Sequence, residues 1–323
     1  MVTTGKRGRL WTPRWTWRIG VVLVGVIAMV AGALAAAGQP SDVKTLAIPF
    51  AETSPWRTTI SPNPAIDPNS ASMIASVQPE RALFANLVEF GIPIHHKRWG
   101  TPAHDVGCVD FDWGICPFDV QPVFIPDGAH PNSGSDGVLV IVDQGGGKIF
   151  EFWQAVKSED EWSTSWGAVN NLYDSGWGGA ATGAGASRLA GVIRISEIAA
   201  GEIPHALALQ TNNACPTFRP PATKSDGRST RTDCIPEGAL LQLDPSLDLG
   251  ELSLTPGELA VATAMQRYGG YVMDVGGAPL SVSFELDSNA VPGTVGATYE
   301  AAGFRWDYDA MEHIPWEKLR VLK

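Results

Sequence analysis

The chain has 323 residues, with 34 Asp and Glu against 23 Lys and Arg, for a formal charge of −11 at pH 7. That balance argues against a nucleic-acid surface, which needs basic patches, and against docking on anionic lipid by charge. There is no repeat at solenoid or propeller periods, and the length suits one large β domain.

Residues 1–37 read as a targeting segment. Lys6, Arg7, Arg9, Arg14 and Arg18 form a basic flank without an acid, and residues 19–37 ("IGVVLVGVIAMVAGALAAA") carry no charge. The small-residue end offers A-x-A cleavage sites, while a run of 19 residues is also near the length that spans a bilayer. Two readings stand: a signal peptide, or an N-terminal membrane anchor that would be the chain's only membrane contact. Both place the remainder outside the cytoplasm, extracellular or in the cell envelope. That remainder holds all four cysteines, and the nearest-neighbour pairing is Cys108–Cys116 with Cys215–Cys234, each closing a loop rich in turn residues.

Residues 38–70, rich in Pro and Ser, read as a linker and an extended arm with Trp56 as its anchor; residues 71–323 form the exported β-rich domain. A short helix is expected over 70–78, capped by Asn69 or Ser70. "IPIHH" and "QPVFIP" are short extended runs. "GVLVIVD" (137–143) is a buried strand turned by "QGGG" into "KIFEFWQA" (148–155), the strongest hairpin in the chain. With that loop, Asp143 opposes Lys148 and Glu151 opposes Val140, so the two acids face opposite ways unless a bulge intervenes. "AGVIRI" and "HALALQT" are strands around a helical turn at 197–200 with Ser196 as N-cap. "GALLQLD" follows. In "TPGELAVATAMQRYGG" Thr255 caps a helix, with Pro256 in its first turn, Glu258 completing a capping box and Gly269 ending it. "YVMDVG" and "LSVSFEL" complete the sheet. The fold class is mainly β: a single sandwich- or jelly-roll-like domain with one or two helices, with a closed barrel as the alternative.

The order "VLVIVD…KIFEFWQA", "GVIRISEIAAGEIPHALAL", "AMQRYGGYVMDVGG" and "IPWEKLRVL" resembles a family of secreted bacterial proteins, mostly without assigned function, over roughly residues 54–323. Its members carry a histidine just before the V-x-V-x-D run, where this chain has Asp136 and Gly137. The resemblance implies export and a common fold, and no activity.

Export, acidity and tryptophan density point to a carbohydrate-active protein. Its partner would be a polysaccharide or oligosaccharide, and it would act as a glycoside hydrolase through paired carboxylates. The candidate acids are Asp143, Glu151, Glu202 and Asp274, with His205 as a further catalytic group and Glu197 explained by the start of a helical turn. Asp143 and Asp274 each follow an apolar run, where a carboxylate is costly unless paired. Arg194, Trp153, Trp177 and Tyr268 are the candidate substrate-binding groups, among other tryptophans that include Trp99, Trp113, Trp162, Trp166, Trp306 and Trp316. A non-catalytic carbohydrate-binding or envelope protein is the alternative, and it predicts no two of those acids within about 10 Å across a cleft. A lyase using His205 with Tyr268 or Tyr271 is a further one. No metal is expected: His95 and His96 are adjacent and point to opposite faces of a strand, and "DFDWG" is only part of a calcium loop. No cofactor is expected either, since there is no P-loop and no G-x-G-x-x-G.

Overall fold

The hairpin forms the middle of an open four-stranded sheet. The computed structural model describes residues 48–323 apart from Phe111, Asp160 and Ala180. The expected targeting segment, 1–37, and the first part of the arm lie outside the described residues. In chain order the main strands are β1 (Phe84–Asn86), β2 (Ile94–His96), β3 (Leu139–Asp143), β4 (Lys148–Trp153), β5 (Trp166–Asn171), β6 (Leu207–Thr211), β7 (Leu240–Leu243), β8 (Gly270–Val275), β9 (Ser281–Ser283) and β10 (Leu319–Val321). The four-stranded sheet runs β5-β4-β3-β2, and a six-stranded sheet runs β1-β9-β6-β8-β7-β10. Neither sheet closes into a barrel; the fold is mainly β and sandwich-like.

Strand periodicity explains the layering. Val138, Val140, Val142 and Ile149 of the hairpin meet Ala206, Ala208, Tyr271 and Met273 of the larger sheet in one core between the sheets. The alternate residues Leu139, Ile141, Phe150 and Phe152 face a second core beneath the loop closed by Cys108–Cys116. Leu207, Leu209 and Val272 face a third core, which includes residues of the helices α1 (Ser70–Val77), α3 (Pro256–Arg267) and α4 (Ala297–Ala301). The arm's Trp56 is fully buried in the inter-sheet core, stacked on Trp177 with ring centroids 5.0 Å apart.

Hairpin register is as the loop length dictates: Asp143 pairs with Lys148 and Glu151 with Val140. The second disulfide joins Cys215 to Cys234. Two disulfides fit an oxidising, extracellular-type environment. Helix α3 starts as expected, with Thr255 Oγ1 accepting from Glu258 N and Glu258 answering at Thr255 N, 2.9 Å away. Among the described residues there are four helices where one or two were expected, because the turn after Arg194 closes as α2 (Ile195–Ala200) and "ATYEA" closes as α4. The N-cap of α2 is Arg194 in place of Ser196, since the Glu197 carboxylate accepts from Arg194 N at 2.8 Å. No helix among the described residues is long and apolar enough to cross a membrane.

One irregularity has a large effect. In the parallel pair of β6 with β8, Leu209 pairs with Val272 but Gln210 pairs with Asp274, which leaves Met273 as an extra residue. Such a bulge re-aims the side chains that follow it. Asp274 therefore shares the face of Gln210, toward the smaller sheet.

Candidate functional site

Glu151 on β4 and Asp274 on β8 both face the space between the sheets, and both line a cleft of about 600 Å3 at its end. Between them lies Arg188, carried on the loop that follows β5. That loop is glycine-rich so that it can thread the narrow gap. Ala184 N donates to the carbonyl of the bulged Met273 at 2.9 Å, and Gly183 N donates to Asp274 Oδ1 at 3.0 Å. A methyl group on Gly183 would stand 2.9 Å from Asp274 Oδ1 and would collide with Asp226 Oδ1. The two carboxylate oxygens are thus no more than about 5 Å apart, no wider than the pair of a retaining glycosidase.

Arg188 is buried, with Nη2 2.8 Å from Asp274 Oδ2 and donating to Ala181 O at 3.0 Å. Asp136 and Glu151 also act on its charge. Burial pushes Asp274 up to about 6 against the pull of Arg188, with Asp226 adding to the rise. Glu151 is raised to about 7 by complete burial, although Ser187 Oγ and Asn170 Nδ2 donate to it, the latter at 2.9 Å. Deeper still is Glu237, fully buried, with neither oxygen hydrogen-bonded among the described residues. Burial and the Asp226 carboxylate push it up to about 9, so it is neutral at pH 7. Asp226 itself is exposed, on the loop closed by Cys215–Cys234.

Aromatic rings form the other wall of the cleft. Trp113 stacks on Trp153 at 5.4 Å and meets Trp166 edge-on at 5.9 Å, and all three line the cleft. Trp113 is more than half exposed, so one face is open to a ligand.

The expected site residues divide sharply. Glu151, Asp274 and Trp153 line the cleft. Asp143 does not: it closes the hairpin turn, accepting from Lys97 Nζ at 2.7 Å and Gly146 N at 2.9 Å. Burial opposes its ionisation, but Lys97 and the turn amides hold the carboxyl below its usual value. Glu202 is exposed just beyond α2 and is not among the residues lining the cleft. His205, Arg194, Trp177 and Tyr268 also belong elsewhere. His205 Nδ1 lies 2.8 Å from Ala206 O and Nε2 3.1 Å from the Glu197 carboxylate. Burial alone would lower its pKa, yet Glu197 holds it above the usual value. Arg194 pairs with Glu285 at 2.9 Å. Trp177 packs between Trp56 and Tyr271, and Tyr268 is in the inter-sheet core. These groups fasten α2 and the arm to the sheets.

Sequence reasoning missed Arg188, Asp226 and Glu237 as site groups. "SDG" around Asp226 reads as a turn, and "IPEG" around Glu237 as a strand end; only a fully buried acid with no partner marks the second. Asp136, close to where the resembling family carries a histidine, also lines the cleft. No group of three or more His, Cys, Asp or Glu among the described residues is arranged to hold a metal ion. No family model matches the chain, and no curated protein or solved structure gives a match.

Proposed function

We infer that the protein is an exported glycoside hydrolase acting on cell-wall or extracellular polysaccharide, with Asp274 and Asp226 as the working pair. The observation that carries this reading is the approach of those two carboxylates within about 5 Å beneath a wall of three tryptophans. Asp274 is oriented by two donors, Gly183 N and Arg188, and with its pKa raised to about 6 it keeps part of its proton at pH 6–7, as a general acid must. Asp274 is the acid that protonates the leaving glycosidic oxygen while the exposed Asp226 carboxylate bonds to the anomeric carbon. Asp274, left without its proton, then takes one from the water that releases the sugar from Asp226. Neutral Glu237 stands behind Asp226 without adding a second negative charge. Trp113, backed by Trp153, offers a stacking face for a sugar ring.

The non-catalytic alternative concerned the spacing of Asp143, Glu151, Glu202 and Asp274, and of these only Glu151 and Asp274 line the cleft; the hydrolase reading is favoured by a different pair, Asp226 with Asp274. The lyase alternative loses its residues, since His205 and Tyr268 are committed to the core. Oxygens no more than about 5 Å apart leave no room for the about 6.5–9.5 Å spacing of an inverting pair, which favours retention of anomeric configuration. Proton NMR of the chain incubated with a panel of glucans, mannans, xylans and galactans tests the reading. New reducing ends in the retained configuration are expected, and no release from any member would overturn it.

A further inference from the structure

A second cleft, of about 660 Å3, lies on the other side of the Arg188–Asp274 pair and shares Asp136, Arg188, Asp274 and Val275 with the first. Its lining is unusual for the inner face of a sheet. Asn86 pairs with Ser283 and Gln210 pairs with Ser281 across the three adjacent strands β1, β9 and β6, so all four side chains share one face. Gln210, Ser281 and Ser283 are buried. They form a chain: Gln210 Nε2 donates to Ser283 Oγ at 2.9 Å, and Ser281 Oγ donates to Gln210 Oε1 at 3.1 Å. Asn86 Nδ2 reaches the chain only at 3.4 Å. The Asn86 carboxamide oxygen and the Ser283 hydroxyl hydrogen have no partner among the described residues, which leaves an acceptor and a donor for a ligand.

A polar ladder on a face that elsewhere buries alanine and valine costs stability unless something uses it. Amide and hydroxyl groups with unused capacity match the hydroxyls of a sugar, and Phe84 and Phe90 beside them match its apolar face. The charged groups choose among sugars. Glu80, Asp136 and Asp274 line the cleft, and the one cation among the described residues that line it, Arg188, is already paired to Asp274. A uronate or other anionic unit would meet carboxylates with no free cation; an uncharged unit meets no such barrier.

We propose that this second cleft is a binding subsite for an uncharged sugar unit, so that the substrate is a neutral polysaccharide lying across the Arg188–Asp274 pair with units in both clefts. The proposal rests on the hydrolase reading for what happens between the clefts, and on the second cleft's own lining for what binds there.

The test is calorimetric titration of the full chain carrying Asp226→Asn with cellohexaose, laminarihexaose, xylohexaose, mannohexaose and tetragalacturonate. At least one neutral hexaose should bind, at least tenfold tighter than tetragalacturonate, and Asn86→Leu in the same background should weaken it at least tenfold with an unchanged melting temperature. Ser283→Ala gives the same readout if Asn86→Leu fails to fold. Failure of every neutral hexaose to bind, equal or tighter binding of the uronate, or an affinity indifferent to both substitutions overturns the proposal. Binding that depends on Asn86, in a wild-type chain that releases no reducing ends, would keep the subsite and remove the hydrolase. Hydrolysis indifferent to Asn86 would do the reverse.

Discussion

Arg188 Nη2 stands 2.8 Å from Asp274 Oδ2 in the wall that two clefts share. Both partners are buried, and Asp136 and Glu151 add their fields to the guanidinium. A buried pair of this kind is costly to break from one side, because the remaining charge has no water to turn to. Arg188→Gln should lower unfolding free energy by about 3–5 kcal/mol in denaturant titration. The loss should be larger at pH 8 than at pH 5, since protonation relieves the carboxylates left behind. Equal losses at both pH values would contradict the role given to Arg188.

Gly183 is held between Asp226 and Asp274. Gly183→Ala should displace one carboxylate by a few tenths of an ångström or more, at a stability cost of about 1–3 kcal/mol. Displacement of a reacting group on this scale lowers turnover by roughly a hundredfold. Hydrolysis rates measured beside melting temperatures separate the two effects. Retained turnover in a folded variant would count against the pair.

Stability should be greatest in mild acid. Asp274, Glu151 and Glu237 all have folded pKa values raised above their unfolded ones, to about 6, 7 and 9. The folded state therefore keeps protons that the unfolded chain has released. Stability falls as pH rises from the unfolded carboxylate range through each folded value, by up to about 1.4 kcal/mol per pH unit for each group. His205, also raised, adds stability that is present below its unfolded pKa and lost as pH rises through its folded one. Asp67, held against the cost of burial by the Asn69 amide and Arg219, and Asp143 are lowered and act the other way, losing their contribution as pH falls through their folded values. Melting temperature should peak near pH 5 and fall toward pH 9, and Glu237→Gln should flatten the limb between pH 7 and 9. A stability that rises between pH 6 and 9 would contradict the protonation assigned to Glu237.

Trp113 is the exposed member of the aromatic wall, and its ring holds little of the core together. Trp113→Ala should raise KM severalfold, in line with about 1 kcal/mol for one stacked ring, with little change in melting temperature. His205→Ala should do the opposite. Its Ala206 and Glu197 contacts are structural, so about 1–3 kcal/mol of stability should go while turnover of the folded fraction stays constant.

Local rules made much of the fold legible. The four-residue loop gives the hairpin register, Thr255 and Glu258 the start of α3, cysteine spacing the two disulfides, and strand periodicity the faces of Leu207 and Leu209. The site was half legible. Period two puts Glu151 on one face of its strand with Ile149 and Trp153. The side to which Asp274 turns depends on the extra residue Met273, and no pattern in "YVMDVG" announces that bulge. Arg188 and Asp226 come from loops whose positions follow from a glycine threading between sheets and from a disulfide, so only tertiary structure joins them. "VIRISEIAAGEIPHALALQ" misleads for the opposite reason: its charges are close in sequence, but Glu197 caps α2 and meets His205, Arg194 is taken by Glu285, and Glu202 is exposed beyond the helix.

The release of reducing ends from neutral polysaccharide by the Asp226→Asn chain, measured beside the wild type at pH 6–7, tests the carboxylate pair most directly. A drop of roughly a thousandfold or more with unchanged melting temperature is the predicted result. A wild-type rate from the folded Asp226→Asn chain would contradict it.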